Sequence, residues 1–239
     1  MSTAKSCGGP RTVSVETMRR SDAYTIENFV PSKELMWRAG TGIFEAAGEA
    51  LGAEPGKGEA AGGQWPEPVA IACGKGNNAG DGYVVAELLH KARVDCTIVL
   101  LAEDRFSEDG LYYFQRCQEL GVPVKVWAGA AGAGDKVVSD FAGYKVIVDA
   151  ILGTGFAGDV RGAAADMINA INAAGEAGAF VISADINSGL NGDTGMGTTY
   201  VRSDLTVSIG DFKHGHFQGL AGEAMKSKVN KDIGIIIVP

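Results

Sequence analysis

The sequence predicts an α/β protein: a three-layer α/β/α sandwich on a mostly parallel central sheet, with two extra helices at the N-terminus. Three observations carry this. From Val69 onward short apolar runs alternate with segments of helical period, and strands separated by helices form parallel sheets through right-handed crossovers. The glycine-rich stretch Cys73-Gly74-Lys75-Gly76-Asn77-Asn78-Ala79-Gly80-Asp81-Gly82 lies between the run Val69-Ala70-Ile71-Ala72 and a periodic segment beginning at Tyr83. Strand, glycine turn and helix start in that order make a Rossmann-like small-molecule site, where backbone N–H groups face an anion. Three strand ends also carry polar residues: Asn77 to Asp81, Asp149 with Gly153-Thr154-Gly155, and Asp185 with Asn187-Ser188-Gly189. Open α/β sheets bind ligands outside the carboxyl ends of their strands.

Residues 1–11 are small and polar and read as a tail, and residues 12–239 read as a single domain. The first helix is expected over 14–29, where Val15, Met18, Ile26 and Phe29 recur on one face. Pro31 ends it and Ser32 caps the next helix, in which Leu35, Met36, Ala39, Ile43, Phe44, Ala47 and Leu51 keep the period. Gly40 and Gly42 weaken that helix intrinsically, so they point to close packing against another element. A Gly/Ala/Glu/Pro loop spans 52–66. The body then reads as strand 69–73, helix 81–93, strand 95–101, helix 107–120 and strand 122–127. A flexible stretch 128–134, a short helix 136–141, strand 145–151, loop 152–162, helix 163–174 and strand 179–184 follow. A second Gly/Asp loop, 185–197, precedes strands 204–209 and 233–238.

With 239 residues and a 46% apolar fraction, the chain has enough material for one large core. A net charge of -8 argues against a sequence-blind nucleic-acid binder, which needs a basic face to neutralise phosphates. Cys7, Cys73, Cys96 and Cys117 lack CxxC spacing, so neither a zinc site nor a disulfide framework is indicated, and a reducing cytoplasm is the simplest location. No stretch approaches the roughly 20 apolar residues of a membrane span, and the first residues are too polar for a signal peptide.

In the glycine-rich loop, Gly74, Gly76, Gly80 and Gly82 permit positive φ and close backbone approach, so the loop is expected to touch the ligand. It fits neither standard phosphate fingerprint: no Lys-Ser or Lys-Thr follows the glycines, and Asn77 and Asn78 fall within the spacing of a dinucleotide loop. The bland alternative is a plain turn with Asp81 as helix cap, and each Asp at the other strand ends has the same alternative. His214 and His216, two apart, would share a face of a strand, but no third ligand of that type lies nearby. Met167, Phe114 and Trp37 read as core.

The runs GKGNNAGDG, DAILGTG followed by GDVRG, ADINSG and DTG, and the segment Ser203 to Gly210 with Phe212-Lys213-His214-Gly215, together resemble the NAD(P)HX epimerase family. Glu16-Thr17-Met18-Arg19 with Asp22, and Leu35-Met36 with Ala39-Gly40, are similar to that family's opening helices, so the resemblance runs from about Val13 to the C-terminus. It implies an isomerase of nicotinamide-nucleotide repair, which interconverts the R and S forms of NADH or NADPH hydrated at C6 of the nicotinamide ring. A separate ATP- or ADP-dependent dehydratase would act as functional partner, because the resemblance covers the epimerase module alone. It further implies that Asn77, Asn78, Ala79, Gly80 and Asp81 contact the hydrated dinucleotide. Gly153, Thr154, Gly155, Phe156, Ala157, Gly158, Asp159 and Asp185 would do the same. Asn78, Asp149 and Ser188 would help hold a potassium ion, a donor set suited to a hard cation. Two positions depart from the family pattern: Ala79 replaces a glycine, and Asn187 replaces the proline before Ser188. Both are expected to affect the loop rather than remove a functional side chain.

Epimerising a carbon that bears a hydroxyl beside an enamine nitrogen is easiest if the nitrogen expels hydroxide and water returns on the other face. Asp185 is the first candidate for the acid/base group, the alternative being that it only ligates or orients the sugar. Lys213 is the second candidate, able to stabilise a pyrophosphate or a developing hydroxide, the alternative being a solvated lysine. Two other readings compete: a non-catalytic binding module for a small molecule or protein on the same fold, and an NAD-dependent dehydrogenase, for which the loop is a poor match. The apolar residues of the two N-terminal helices exceed what one sheet face hides, which points to a homodimer.

Overall fold

The computed structural model describes residues 10–52, 65–101, 106–127 and 141–238. The expected loop at 52–66, the flexible stretch at 128–134, the short helix at 136–141 and most of the N-terminal tail lie wholly or mainly outside these residues. A seven-stranded, all-parallel sheet runs in the order β4-β3-β2-β5-β6-β7-β9. Its strands are β2 (Val69–Cys73), β3 (Cys96–Leu100), β4 (Val124–Val126), β5 (Val146–Ala150), β6 (Phe180–Ala184), β7 (Ser203–Ile209) and β9 (Met225–Lys231). A second small sheet pairs β1 (Thr12–Val13) in parallel with β8 (Phe212–Lys213).

The central strands are buried on both faces, and their side chains alternate between two cores. Ile71, Cys73, Val148 and Ala150 face α2 (Ser32–Ala50), α3 (Asn77–Lys91) and α4 (Glu108–Leu120). Ala70, Ala72 and Ile147 face Met167, Ile168 and Ile171 of α5 (Ala163–Glu176). The expected three-layer sandwich is therefore present. Met167 and Phe114 are core residues as expected, on opposite faces of the sheet, and Trp37 packs half-buried against the core that contains Phe114. Cys73, Cys96 and Cys117 are free and buried, and burial pushes the thiols of Cys96 and Cys117 up to about 12.

From β2 the chain builds outward through β3 and β4 on one side and through β5, β6 and β7 on the other. The loops leaving β2 and β5 thus diverge, opening the crevice in which such sheets bind ligands.

Several boundaries differ from expectation. Helix α3 starts at Asn77 with Gly76 as its cap, so Asp81 is inside the helix and not its cap. Gly80 and Gly82 are tolerated there because a methyl at Gly80 would meet Met36 Sδ at 2.4 Å, and one at Gly82 would meet Ala150 Cβ at 2.8 Å. Neither has a positive φ. Ser32 opens α2 as its first residue, with Pro31 in the cap position. A methyl at Gly40 would lie 2.4 Å from Val84 Cβ, which accounts for the close packing expected there.

The last strand is not 233–238 but β9, whose Lys226, Lys228 and Asn230 disguise it as a polar segment. It lies at the sheet edge, where one face and one side meet water. The apolar residues 233–238 are drawn instead onto α1 (Val15–Asn28): Ile236 N–H donates to Thr25 Oγ1 at 2.9 Å and Val238 N–H to Ser21 Oγ at 3.0 Å. Helix α1 begins as expected, with Ser14 Oγ accepting the Thr17 N–H at 3.0 Å.

Candidate active site

A cleft of about 710 Å³ opens at the carboxyl ends of β2, β5 and β6. Its polar floor is Asp185, which follows β6 in a left-handed conformation with φ 61°. That conformation is costly for a residue with a side chain, and two bonds to its backbone hold it. Asp185 N–H donates to Val207 O at 2.8 Å, and His216 donates from Nε2 to Asp185 O at 2.8 Å. His216 can donate there because its Nδ1 accepts the Lys213 N–H at 3.1 Å, which assigns the proton to Nε2, and burial keeps the ring neutral.

The side chain of Asp185 is equally committed. Oδ1 accepts from the Lys213 ammonium and from Ile209 N–H at 3.2 Å, and Oδ2 accepts from Thr154 Oγ1 at 3.2 Å. Lys213 is 1% exposed and also donates to Ile209 O at 2.8 Å, so it is not a solvated lysine. Burial pushes the Asp185 carboxyl up, but the charge and hydrogen bond of Lys213 outweigh it and hold the group below the usual carboxylate range. Its side chain remains 15% exposed, toward the cleft.

Two further carboxyls share this space. Asp81 of α3 is pushed well above the carboxylate range by burial, with the charges of Asp185 and Asp22 adding to the effect. Asp22 of α1 is pushed up to about 6 by burial, opposed by Lys213 and reinforced by Asp185. Arg19, Lys75 and Asp109 also line the cleft; of Asp22, Asp81 and Asp185 it is Asp185 that contacts Lys213, and this contact holds it ionised where burial raises the other two.

Asn77, Asn78, Asp81, Gly153, Thr154, Gly155, Phe156, Asp185 and Lys213 all line the cleft. Ala79 and Gly80 are buried in the α2–α3 contact instead. Ala157, Gly158 and Asp159 lie beyond the lining, with Asp159 accepting from Thr198 Oγ1 at 3.1 Å and pairing with Arg161. His214 and His216 form a short 3-10 turn rather than a strand face, and His214 Nδ1 bonds Thr12 Oγ1 at 2.9 Å. Gly74 cannot carry a methyl because one would sit 1.9 Å from Ile151 O; Gly76, facing the cleft, is open.

Beneath the cleft Asp149 is fully buried and accepts four hydrogen bonds. Ser188 Oγ and Ile151 N–H reach Oδ1; Ser183 Oγ and Ser188 N–H, each at 2.9 Å, reach Oδ2. Burial nevertheless leaves its pKa raised. Asn78 donates to Leu152 O at 3.1 Å, while its buried Oδ1 has no partner among the described residues.

The sequence reading missed the apolar walls and the third carboxyl. Met18, Asp22 and Ile26 of α1, Leu35 and Met36 of α2, and Ile233 and Ile235 near the C-terminus line the cleft. The four-residue spacing of Met18, Asp22 and Ile26 was the available signal, since it places all three on one helical face.

The family model described as YjeF-related protein N-terminus matches residues 32–215. The chain belongs to this family. An NAD(P)H-hydrate epimerase of Rhodopirellula baltica is 32% identical over 219 residues, covering 90% of this chain and 80% of that protein. One from Limosilactobacillus reuteri is 36% identical, covering 82% and 83%. A bifunctional NAD(P)H-hydrate repair enzyme of Coxiella burnetii is 34% identical over 80% of this chain, which spans only 35% of that relative's length. The crystal structure of yeast ynu0 has the same fold, with a TM-score of 0.72 at 18% identity over 90% of this chain and 86% of that one.

Within the family pattern, neither departure loosens the site. Ala79 is helical, has no positive φ and is 1% exposed in the core. Asn187 is fully buried: its amide donates to Val201 O, Ser203 Oγ and Ala224 O, and its Oδ1 accepts from Thr206. These bonds replace the stiffness that a proline would give.

Proposed function

We propose that this chain is an NAD(P)H-hydrate epimerase, an isomerase that interconverts the R and S hydrates of NADH and NADPH, with Asp185 as acid/base group. The observation that carries the reading is the ionised Asp185, held by Lys213 and Thr154 at the floor of a cleft flanked by the α3 start and the 153–156 loop. The names of the relatives supply the substrate class.

In this reading the dinucleotide lies along the cleft, with Asn77, Asn78, Asp81 and the residues from Gly153 to Phe156 against it. The hydrated ring sits over Asp185. Nitrogen N1 expels the C6 hydroxyl, and water returns on the other face while Asp185 takes its proton. Lys213 keeps Asp185 charged and lies where negative charge develops.

The residues fit a potassium ion. Asn78 Oδ1 is a buried oxygen without a partner among the described residues, Ser188 Oγ and Leu152 O belong to the same hydrogen-bond network, and Asp149 supplies negative charge. Bound there, the ion would orient Asn78 and the 152–155 loop and add positive charge near the substrate's phosphates. The protein acts in the cytoplasm, and a separate dehydratase consumes the S hydrate. A homodimer forms through the exposed apolar residues at the end of α1, Tyr24 and the following Phe29, which is 58% exposed.

The deciding experiment follows R and S hydrates of NADH by chromatography, with purified protein and potassium chloride, against the spontaneous rate. The expected result is acceleration by wild type and its loss in Asp185→Asn. A folded wild type that leaves the spontaneous rate unchanged would sink the reading and favour a binding module.

A further inference from the structure

Removing a hydroxyl from one face of a ring carbon and returning water to the other requires a proton to be given on one face and taken on the other. Asp185 can do only half of this. Bound by Lys213, Ile209 N–H and Thr154, it is a carboxylate with no proton to give. The acid must be another group on the same cleft.

Asp22 has the placement for it. It enters from α1, whereas Asp185 enters from the end of β6, and Met18 and Ile26 one turn on either side line the cleft with it. Helix α1 is anchored at its start beside the small sheet that carries Lys213 and along its second half to the C-terminal segment. Ahead of it, β1 pairs Val13 with Lys213, and Val15 N–H donates to Asp193 Oδ1 at 2.8 Å. Beside Asp22, Ser21 and Thr25 accept the backbone N–H groups of Val238 and Ile236. The carboxyl is thus carried on a rigid element registered against Lys213, as a reacting group requires.

We propose that Asp22 is the second proton-transfer residue of this site, the acid that protonates the leaving hydroxyl while Asp185 takes a proton from the returning water. The proposal rests on the epimerase reading. The Asp22 proton passes to the C6 hydroxyl oxygen, the C6–O bond breaks with its electron pair leaving as water, and the N1 lone pair becomes an N1–C6 double bond. A water oxygen then bonds to C6 from the other face, its proton goes to Asp185, and the double-bond pair returns to N1. One water is lost and one gained; solvent returns a proton to Asp22 and removes one from Asp185. In the S-to-R direction the same steps run backwards, starting from the minor form in which solvent exchange has moved the proton from Asp22 to Asp185.

The charged groups on the cleft are Arg19 on the same helix, Lys75, Asp81, Asp109, Asp185 and Lys213; α2 and the C-terminal segment contribute only uncharged residues. In this setting burial pushes Asp22 up to about 6, with Lys213 opposing and Asp185 adding to it. That is close to neutral, where a proton donor is most effective; burial pushes Asp81 well above the usual carboxylate range.

The test is the hydrate interconversion assay on the full chain with potassium present, comparing wild type, Asp22→Asn, Asp22→Glu and Asp185→Asn from pH 5 to 8. Asp22→Asn should lose about 100-fold or more in kcat with KM changed by no more than about threefold. Wild-type activity should fall above about pH 6 as Asp22 deprotonates, and Asp22→Glu should retain part of the activity with that fall moved. Asp22→Asn within about threefold of wild type in kcat, or a wild-type profile flat across this range, would overturn the proposal. The wild-type profile and Asp22→Glu decide even if Asp22→Asn fails to fold. An active wild type with an active Asp22→Asn removes only this inference; an inactive wild type removes the epimerase reading and this proposal together.

Discussion

The buried ammonium of Lys213 donates to both Asp185 Oδ1 and Ile209 O, joining the residue after β6 to the end of β7. Because the Lys213 backbone is also paired with Val13 through the small sheet, one residue ties the cleft floor to the strand that leads into α1.

Lys213→Met should leave the Asp185 carboxylate buried without its cation, costing about 3–5 kcal/mol at pH 8. In the wild type Asp185 is held below its unfolded pKa, so its stabilising contribution is present above the unfolded value and lost as pH falls through the folded one. In the variant the carboxyl is raised, and the penalty grows with pH. Urea unfolding at pH 5 and pH 8 checks this: the gap between the two proteins should be wider at pH 8, and an equal gap would contradict the assignment.

Asp22 has the opposite sign. Its folded pKa, about 6, is above the unfolded value, so its contribution is complete below the unfolded pKa and is lost as pH rises through about 6. Asp22→Asn mimics the protonated form. It should match wild type near pH 4 and exceed it at pH 8 by on the order of 2–3 kcal/mol, read from denaturant midpoints at the two pH values.

Gly74 and Gly76 separate sharply although they are two residues apart in one loop. Gly74→Ala drives a methyl into the backbone carbonyl of Ile151, and should cost about 3 kcal/mol or more and open the crevice between β2 and β5. Gly76→Ala meets open space, and replacing a glycine cap by alanine there should stay within about 0.5–1 kcal/mol. Thermal unfolding of the pair tests the distinction.

Potassium chloride should raise the melting temperature above that in an equal concentration of choline chloride, approaching about 2.7 kcal/mol of stabilisation at 100 times the dissociation constant. Asn78→Ala, which removes the orphaned oxygen, should abolish the difference. An unchanged potassium response in Asn78→Ala would move the ion elsewhere.

The strand-and-helix alternation, the polar strand ends and the loop carrying Asn77, Asn78 and Asp81 were legible because each depends on local pattern. The short apolar runs of β2 and β5, buried on both faces, and the helical period in α2 are written into neighbouring residues. The edge strand β9 was not, because an edge strand needs no apolar face and Lys226, Lys228 and Asn230 look like loop. Residues 233–238 have the opposite problem: their apolar character signals burial, but only the presence of Ser21 and Thr25 on α1 determines that they bury against a helix.

The layered α/β class, the family and the set of polar residues at the strand ends are carried by hydrophobic period and short motifs, which are local properties of the chain. The assembled fold is what holds the Asp185 carboxyl low, raises that of Asp81 and sets Asp22 at about 6. Asp22, Asp81 and Asp185 come from α1, α3 and the end of β6. Their charges are set by burial and by the distance of each to Lys213, quantities that exist only once the sheet and both helices have come together.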